Sequence, residues 1–229
     1  MKEKIKKIFS NKILIIIVVI LLILCSFFGV FYFYKFKKEL NRNEDFVFDT
    51  VSVLKNIYDS RGVDEENKIK EEAKDEELQL LENAYQMEAK ISDAKLMMNK
   101  WENNNSEKIR KIAEKIIEGL KDLEIASEAF LRVAKNFQTE DVALFSVKLE
   151  NGRNKILIGA SMIVLSEYEI ELSHASMREI VKRIDLIFSN SIKNYINNKN
   201  NDNFSQPVEI WAIISIRNAY ASNLGLSKI

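Results

Sequence analysis

The hydrophobic pattern of the chain has two regimes. From Ile13 to Tyr34 the sequence reads ILIIIVVILLILCSFFGVFYFY, 22 residues without a charge. As a helix rising about 1.5 Å per residue, such a run extends roughly 33 Å, enough to cross a ~30 Å hydrocarbon core. After it the apolar residues fall into stripes. Val47, Val51, Leu54 and Tyr58 predict an amphipathic helix over Asn43–Tyr58, which either continues the span as a stalk or docks on the helical domain. Leu80, Ala84, Met87, Ile91, Ala94, Met98 and Trp101 alternate by four and three. After the break Asn103–Asn104–Asn105 the pattern resumes as Ile109, Ile112, Ile116, Gly119, Leu123, Ala126, Phe130, Val133 and Phe137. Two stripes joined by so short a polar break are expected to run antiparallel and face each other.

Later stripes obey the same rule. Val142, Phe145, Leu149, Ile156, Gly159 and Ile163 form one, and Met177, Ile180, Ile184, Ile187 and Ile192 another. Phe145, Val147 and Leu149 also alternate with polar residues ahead of Asn151–Gly152, which is a hairpin signal. Helix is the stronger expectation, because an isolated two-stranded ribbon is marginal and every neighbouring segment is helical. Asn197–Gln206 reads as a polar loop, and Pro207 stands where an N1 proline would open a last helix over roughly Val208–Ser222.

Composition agrees with an all-α chain. Six Gly and one Pro in 229 residues leave few breakers, and the single Cys, Cys25, lies inside the apolar run. The first run is too long, and its exit residues Phe27, Phe28, Val30 and Phe31 too bulky, for a cleavable signal peptide. Leu24 before Cys25 is a poor context for lipidation. Phe31, Tyr32, Phe33, Tyr34 and Phe36 stand where an interfacial aromatic belt belongs.

Charge adds a polarity that the zero net total hides. Residues 1–12 hold five Lys against Glu3, and 35–43 hold Lys35, Lys37, Lys38 and Arg42 against Glu39. The rest of the chain carries an excess of about seven acids, which removes any long-range attraction for nucleic acid. The acid-rich run from Asp64 to Glu77 reads as a solvated helix face. The expected order is a basic cytoplasmic tail (1–12), a transmembrane helix (13–34), a juxtamembrane or stalk helix (35–63) and a helical domain (64–229). Ile13, Leu14, Ile20, Leu24, Phe28, Tyr32 and Tyr34 mark the anchor. The short basic head before the span gives a slight preference for the N-terminus in the cytoplasm and the domain outside the inner membrane.

Catalytic chemistry finds little to rest on. His174 is the only histidine, and Glu171–Leu172–Ser173–His174 is a single Glu-x-x-His, where a di-iron bundle needs two. There is no phosphate-binding glycine loop and no nucleophile elbow. Of Glu167, Glu169 and Glu171, only the first and last share a helix face. Met87, Met97 and Met98 read as core fillers. No catalytic, cofactor or metal residue is assigned, and an enzyme is not expected.

The breaks near Asn104, Thr139, Ser173 and Pro207 recur at about 34 residues, the period of stacked helix–turn–helix units. ASEAFLRVAKNFQTED (Ala126–Asp141), with Ala126, Phe130 and Val133, resembles the second helix and exit of a tetratricopeptide unit. Gly152 and Gly159 have the spacing of that family's small turn-proximal positions. WAIIS (Trp211–Ser215), followed by Ala219–Tyr220 and Gly225, has its aromatic, aliphatic, small order. The resemblance implies TPR-like antiparallel hairpins acting as a protein–protein interaction scaffold at a bacterial envelope, with an envelope protein as partner. A bundle of long helices would give stripes as regular and remains the alternative. Trp101, Trp211 and Tyr220 are the candidate partner-binding residues, homo-oligomerisation stays open, and a sensory or ligand-binding ectodomain is the second functional expectation.

Overall fold

A computed structural model of the chain describes residues 2–59, 76–165, 168, 170–198 and 208–229, with side chains at 2–24, 76, 77, 194, 195 and 198 excepted. Among the described residues there are seven helices and no strand: α1 (Lys2–Asp59), α2 (Glu76–Asn99), α3 (Glu107–Lys135), α4 (Thr139–Met162), α5 (His174–Ile187), α6 (Ser189–Asn198) and α7 (Val208–Asn223). The all-α expectation holds. The acidic run from Asp64 lies almost wholly outside the described residues, as do Pro207, Glu167 and Glu169. The chain divides into two compact units, Met1–Arg42 and Asn43–Ile229.

The second unit begins inside α1. Phe46, Val47, Val51, Val53, Leu54 and Ile57 are all buried in its core, so the end of α1 is a docked core helix and the unit starts at Asn43, ahead of the expected 64. Phe46 meets the Trp101 ring edge-on at 5.3 Å between centroids, and Trp101 Nε1 donates to Asp49 Oδ2 at 2.6 Å. On another side the Arg183 guanidinium stacks over Phe48, and Asn43 Nδ2 donates to the Glu171 carbonyl at 2.9 Å. These contacts join residues more than 50 positions apart, which periodicity within one helix cannot reveal.

α3 is the central element. Ser106 caps it, accepting from Ile109 N, and the hydroxyl satisfies a donor that the first turn leaves open. The predicted face Ile109, Ile112, Ile116, Gly119, Leu123 and Ala126 is buried, while Phe130 is half-buried. Phe137 departs from expectation. It lies beyond the C-cap Asn136, in the connector to α4, and is 73% exposed.

α4 returns antiparallel along α3, and glycines let the backbones meet. A Cβ added at Gly119 would stand 2.6 Å from the Gly152 carbonyl oxygen and 2.5 Å from Ile156 Cγ1. One added at Gly152 would stand 2.7 Å from the Gly119 carbonyl oxygen. Asn151–Gly152 is therefore mid-helix, and the glycine serves close approach where a hairpin would have used it for a turn. Of the α4 stripe, Ile156, Gly159 and Ile163 are buried, while Val142, Phe145 and Leu149 are half-buried.

Ser173 caps α5, its Oγ accepting from Ser176 N at 3.0 Å. The helix expected to run on through Ile192 breaks at Phe188, whose φ of −108° and ψ of 21° separate α5 from α6. Ile187, on the expected stripe, is left 46% exposed. α7 packs against α4 and α5 and buries Ile210, Ile213, Ile214, Ile216 and Tyr220 on one broad face, leaving Trp211 on the other. It ends in a Schellman turn: Gly225 takes φ +69°, and Leu226 N donates back to the Ala221 carbonyl at 2.8 Å. Arg217 Nη1 then holds the Ser227 carbonyl at 2.6 Å, and the Asn218 amide exchanges two hydrogen bonds with Ile229.

Candidate functional site

The part of the molecule least explained by packing is α1 ahead of the second unit. From Cys25 to Arg42 every side chain is exposed except that of Leu40, which is half-buried. Phe27, Phe28, Val30, Phe31, Tyr32, Phe33, Tyr34 and Phe36 are each at least 54% exposed. On a helix these residues point in all directions, so a single buried stripe would not cover them. Apolar exposure on this scale in a water-facing protein marks a surface that meets another apolar body. Among the described residues no helix is long and apolar enough to cross a membrane. The described side chains take in only the C-terminal part of the apolar run. Phe28, Tyr32 and Tyr34 of the expected anchor are among them, whereas Ile13, Leu14, Ile20 and Leu24 lie outside.

The three candidate partner residues separate. Trp101 is 5% exposed and committed to Phe46 and Asp49; Tyr220 is 4% exposed within α7. Both are core residues in this fold. Trp211 is 52% exposed on the outer face of α7. His174 is exposed in the first turn of α5, and Glu171 lies ahead of that helix, so the Glu-x-x-His pair does not project from one helix. Among the described residues no cluster of His, Cys, Asp or Glu has the geometry to hold a metal ion.

What the sequence reading missed is a set of ion pairs at helix interfaces. Asp122 on α3 accepts from Lys148 and Lys155 of α4 at 2.8 and 2.6 Å. Arg153 of α4 holds the buried Glu209 of α7 at 2.7 Å, and Arg217 of α7 grips Asp185 of α5 with two bonds of 3.0 and 3.1 Å. The signal in the sequence was partial: Arg217 interrupts the apolar run of α7, whereas Asp122 stands among the other charges of α3 and Glu209 in the first turn of α7. A buried charge is retained only when paired. These pairs fix which helices meet.

The hydrogen bonds from Lys148 and Lys155 hold the Asp122 carboxyl below the ordinary aspartate value of 3.8, against the opposing effect of burial. The bond to Asp122 raises Lys155 above 10.5. A depressed folded-state carboxylate stabilises the fold fully above its unfolded value, and that contribution is lost as pH falls through the folded one. The lysine contribution is fully present below 10.5 and is lost as pH rises through its raised value. Asp122→Asn is therefore expected to lower the urea midpoint at pH 7, with the deficit shrinking below about pH 4 as wild-type Asp122 becomes protonated. A deficit that stays constant from pH 7 to pH 2.5 would show that the charge contributes nothing.

Compared with protein-family models, curated proteins and solved structures, the chain matches none of them.

Proposed function

We propose that the chain is a membrane-tethered helical scaffold, held by a single span over Ile13–Tyr34 and presenting Asn43–Ile229 to a protein partner at the cell envelope. The observation that carries this reading is the all-round exposure of Phe27–Phe36 on α1, continuous in sequence with an uncharged run long enough to cross a bilayer. A bilayer accepts apolar side chains on every side of a helix, and Phe and Tyr at the end of the run suit its interface. The tail of residues 1–12 lies in the cytoplasm and the helical unit on the far side.

For that unit, a bundle of long helices is the better supported of the two arrangements. α3 fills the interval between the Asn104 and Thr139 breaks as one helix, and α4 most of the next, where repeat hairpins would turn within each. Partner recognition is assigned to Trp211, because a half-exposed tryptophan on a rigid helix is the kind of anchor that dominates interfaces.

Flotation tests the tether. The full chain is expected to rise with neutral phosphatidylcholine vesicles and to resist extraction by alkaline carbonate, whereas a chain starting at Asn43 stays in the dense fraction. Recovery of the full chain in the dense fraction would end the anchoring reading. For the scaffold, a photo-crosslinker at position 211 in cells is expected to capture one reproducible envelope protein, and capture of none would remove Trp211 as the recognition residue.

A further inference from the structure

Immediately after the aromatic band, α1 turns cationic. Lys35, Lys37, Lys38 and Arg42 are all exposed, with Glu39 the only acid among them, and among the described residues none of the four enters an ion pair. At 100° per residue, Lys35, Lys38 and Arg42 fall within one arc of about 60°, and Lys37 stands on the opposite side. The cations thus stand on two sides of the helix, a stripe of three and a single lysine across from it. Elsewhere the described cations are largely engaged: Lys95, Lys148, Lys155, Arg153 and Arg217 each hold a carboxylate across a helix interface.

We propose that Lys35, Lys37, Lys38 and Arg42 form a binding band for the phosphates of anionic phospholipid headgroups. The proposal rests on the anchoring reading and names the partner of that same segment. The order and spacing of the two bands select this occupant. Lys35 to Lys38 lie within about 6 Å of Tyr34 along the axis, and Arg42 about 12 Å from it. The headgroup layer on one side of a bilayer is on the order of 5–8 Å thick, and flexible lysine stems extend the reach of a charge by a few ångströms. Nucleic acid or an acidic protein would satisfy the cations and leave seven aromatic side chains in water. A bilayer with anionic lipid presents an apolar layer and a phosphate layer in that order over that distance. The acidic helical unit does not compete for the same surface.

Spin-labelled lipids test the assignment on the full chain reconstituted in phosphatidylcholine vesicles. Each cation near an anionic surface favours binding about five-fold. Labelled phosphatidylglycerol is therefore expected to associate with the chain at least about five-fold more strongly than labelled phosphatidylcholine, with the preference collapsing in 1 M salt, where the screening length is ~3 Å. Replacing Lys35, Lys37, Lys38 and Arg42 by Gln is expected to cut the preference at least threefold while flotation with neutral vesicles is unchanged. Equal association of the two lipids, or a preference that survives the four substitutions, would overturn the cationic band and leave the anchor standing. Loss of the preference in 10 mM inorganic phosphate at constant ionic strength would assign the cations to a free anion and overturn the lipid assignment. Failure of the wild-type chain to float would remove the anchor and the cationic band with it.

Discussion

A chain that begins at residue 60 is expected to lose cooperative unfolding altogether, while one that begins at Asn43 keeps it. The difference is the end of α1. Its six core side chains, Phe46, Val47, Val51, Val53, Leu54 and Ile57, are each no more than 3% exposed. At about 1.5–3 kcal/mol for a fully buried apolar side chain, they contribute on the order of 10 kcal/mol. That is comparable to the whole stability of an ordinary domain, about 5–15 kcal/mol. Deleting them also removes the Asp49 carboxylate that holds Trp101 Nε1 and the ring that packs on Trp101. Thermal melts followed by circular dichroism decide the matter. A sharp transition in the chain from residue 60 would mean that the helix merely leans on the unit, and loss of the transition in the chain from Asn43 would mean that the unit extends further toward the N-terminus.

Alanine at Gly119 or Gly152 is expected to destabilise the protein by about 1–3 kcal/mol, and alanine at Gly159 to cost less than either. Two opposing effects set these costs. Gly to Ala within a helix is worth about 1 kcal/mol of propensity in favour of alanine. Against it, a Cβ at Gly119 or Gly152 meets the carbonyl oxygen of the facing glycine at 2.6 or 2.7 Å, so α3 and α4 must separate along their length. At Gly159 the close neighbour is Ile116 Cγ1 at 2.7 Å, and the nearest facing backbone atom, the Ile112 oxygen, stands off at 3.3 Å. The buried, β-branched Ile116 must shift to admit the methyl, a smaller displacement than parting two helix backbones. Urea midpoints of the three variants should rank Gly159→Ala well above the other two. Equal losses at all three sites would mean that the helices give way as easily as a side chain does.

The glycines illustrate how much of the fold was legible. Gly119, Gly152 and Gly159 were visible as members of apolar stripes, and the resemblance to tetratricopeptide units placed two of them near turns. In the structure Gly119 and Gly152 are points of backbone contact between two uninterrupted helices, and Gly159 faces the Ile116 side chain. A spacing of seven residues is compatible with either use, because two helical turns return a residue to the same face whether or not the chain bends nearby. Trp101 and Tyr220 carry the same lesson for the candidate site. An aromatic on an amphipathic helix serves a partner or the core, and only the docking of Asn43–Asp59 against the α2–α3 connector decided that Trp101 is core.

Helix content, the breaks near Asn104, Thr139 and Ser173, and the buried faces of α2 from Ala84 onward and of α3 as far as Ala126 follow from the sequence alone, whereas Leu80 of the expected α2 stripe is exposed. They depend on local propensity, on cap residues such as Ser106 and Ser173, and on the 3.6-residue period, all of which act within a few residues of chain. The uncharged run and its basic flanks are equally local, and the proposed address of the protein rests on them. The partners of each face were decided by tertiary structure. The docking of Asn43–Asp59, the packing of α7 on α4 and α5 and the pairs Asp122–Lys155, Arg153–Glu209 and Arg217–Asp185 join segments far apart in sequence. A hydrophobic stripe states that a face must be covered, and says nothing of what covers it, because apolar burial has no direction of its own. Glycine contacts and buried charges supply that direction, and they act only once the helices have met.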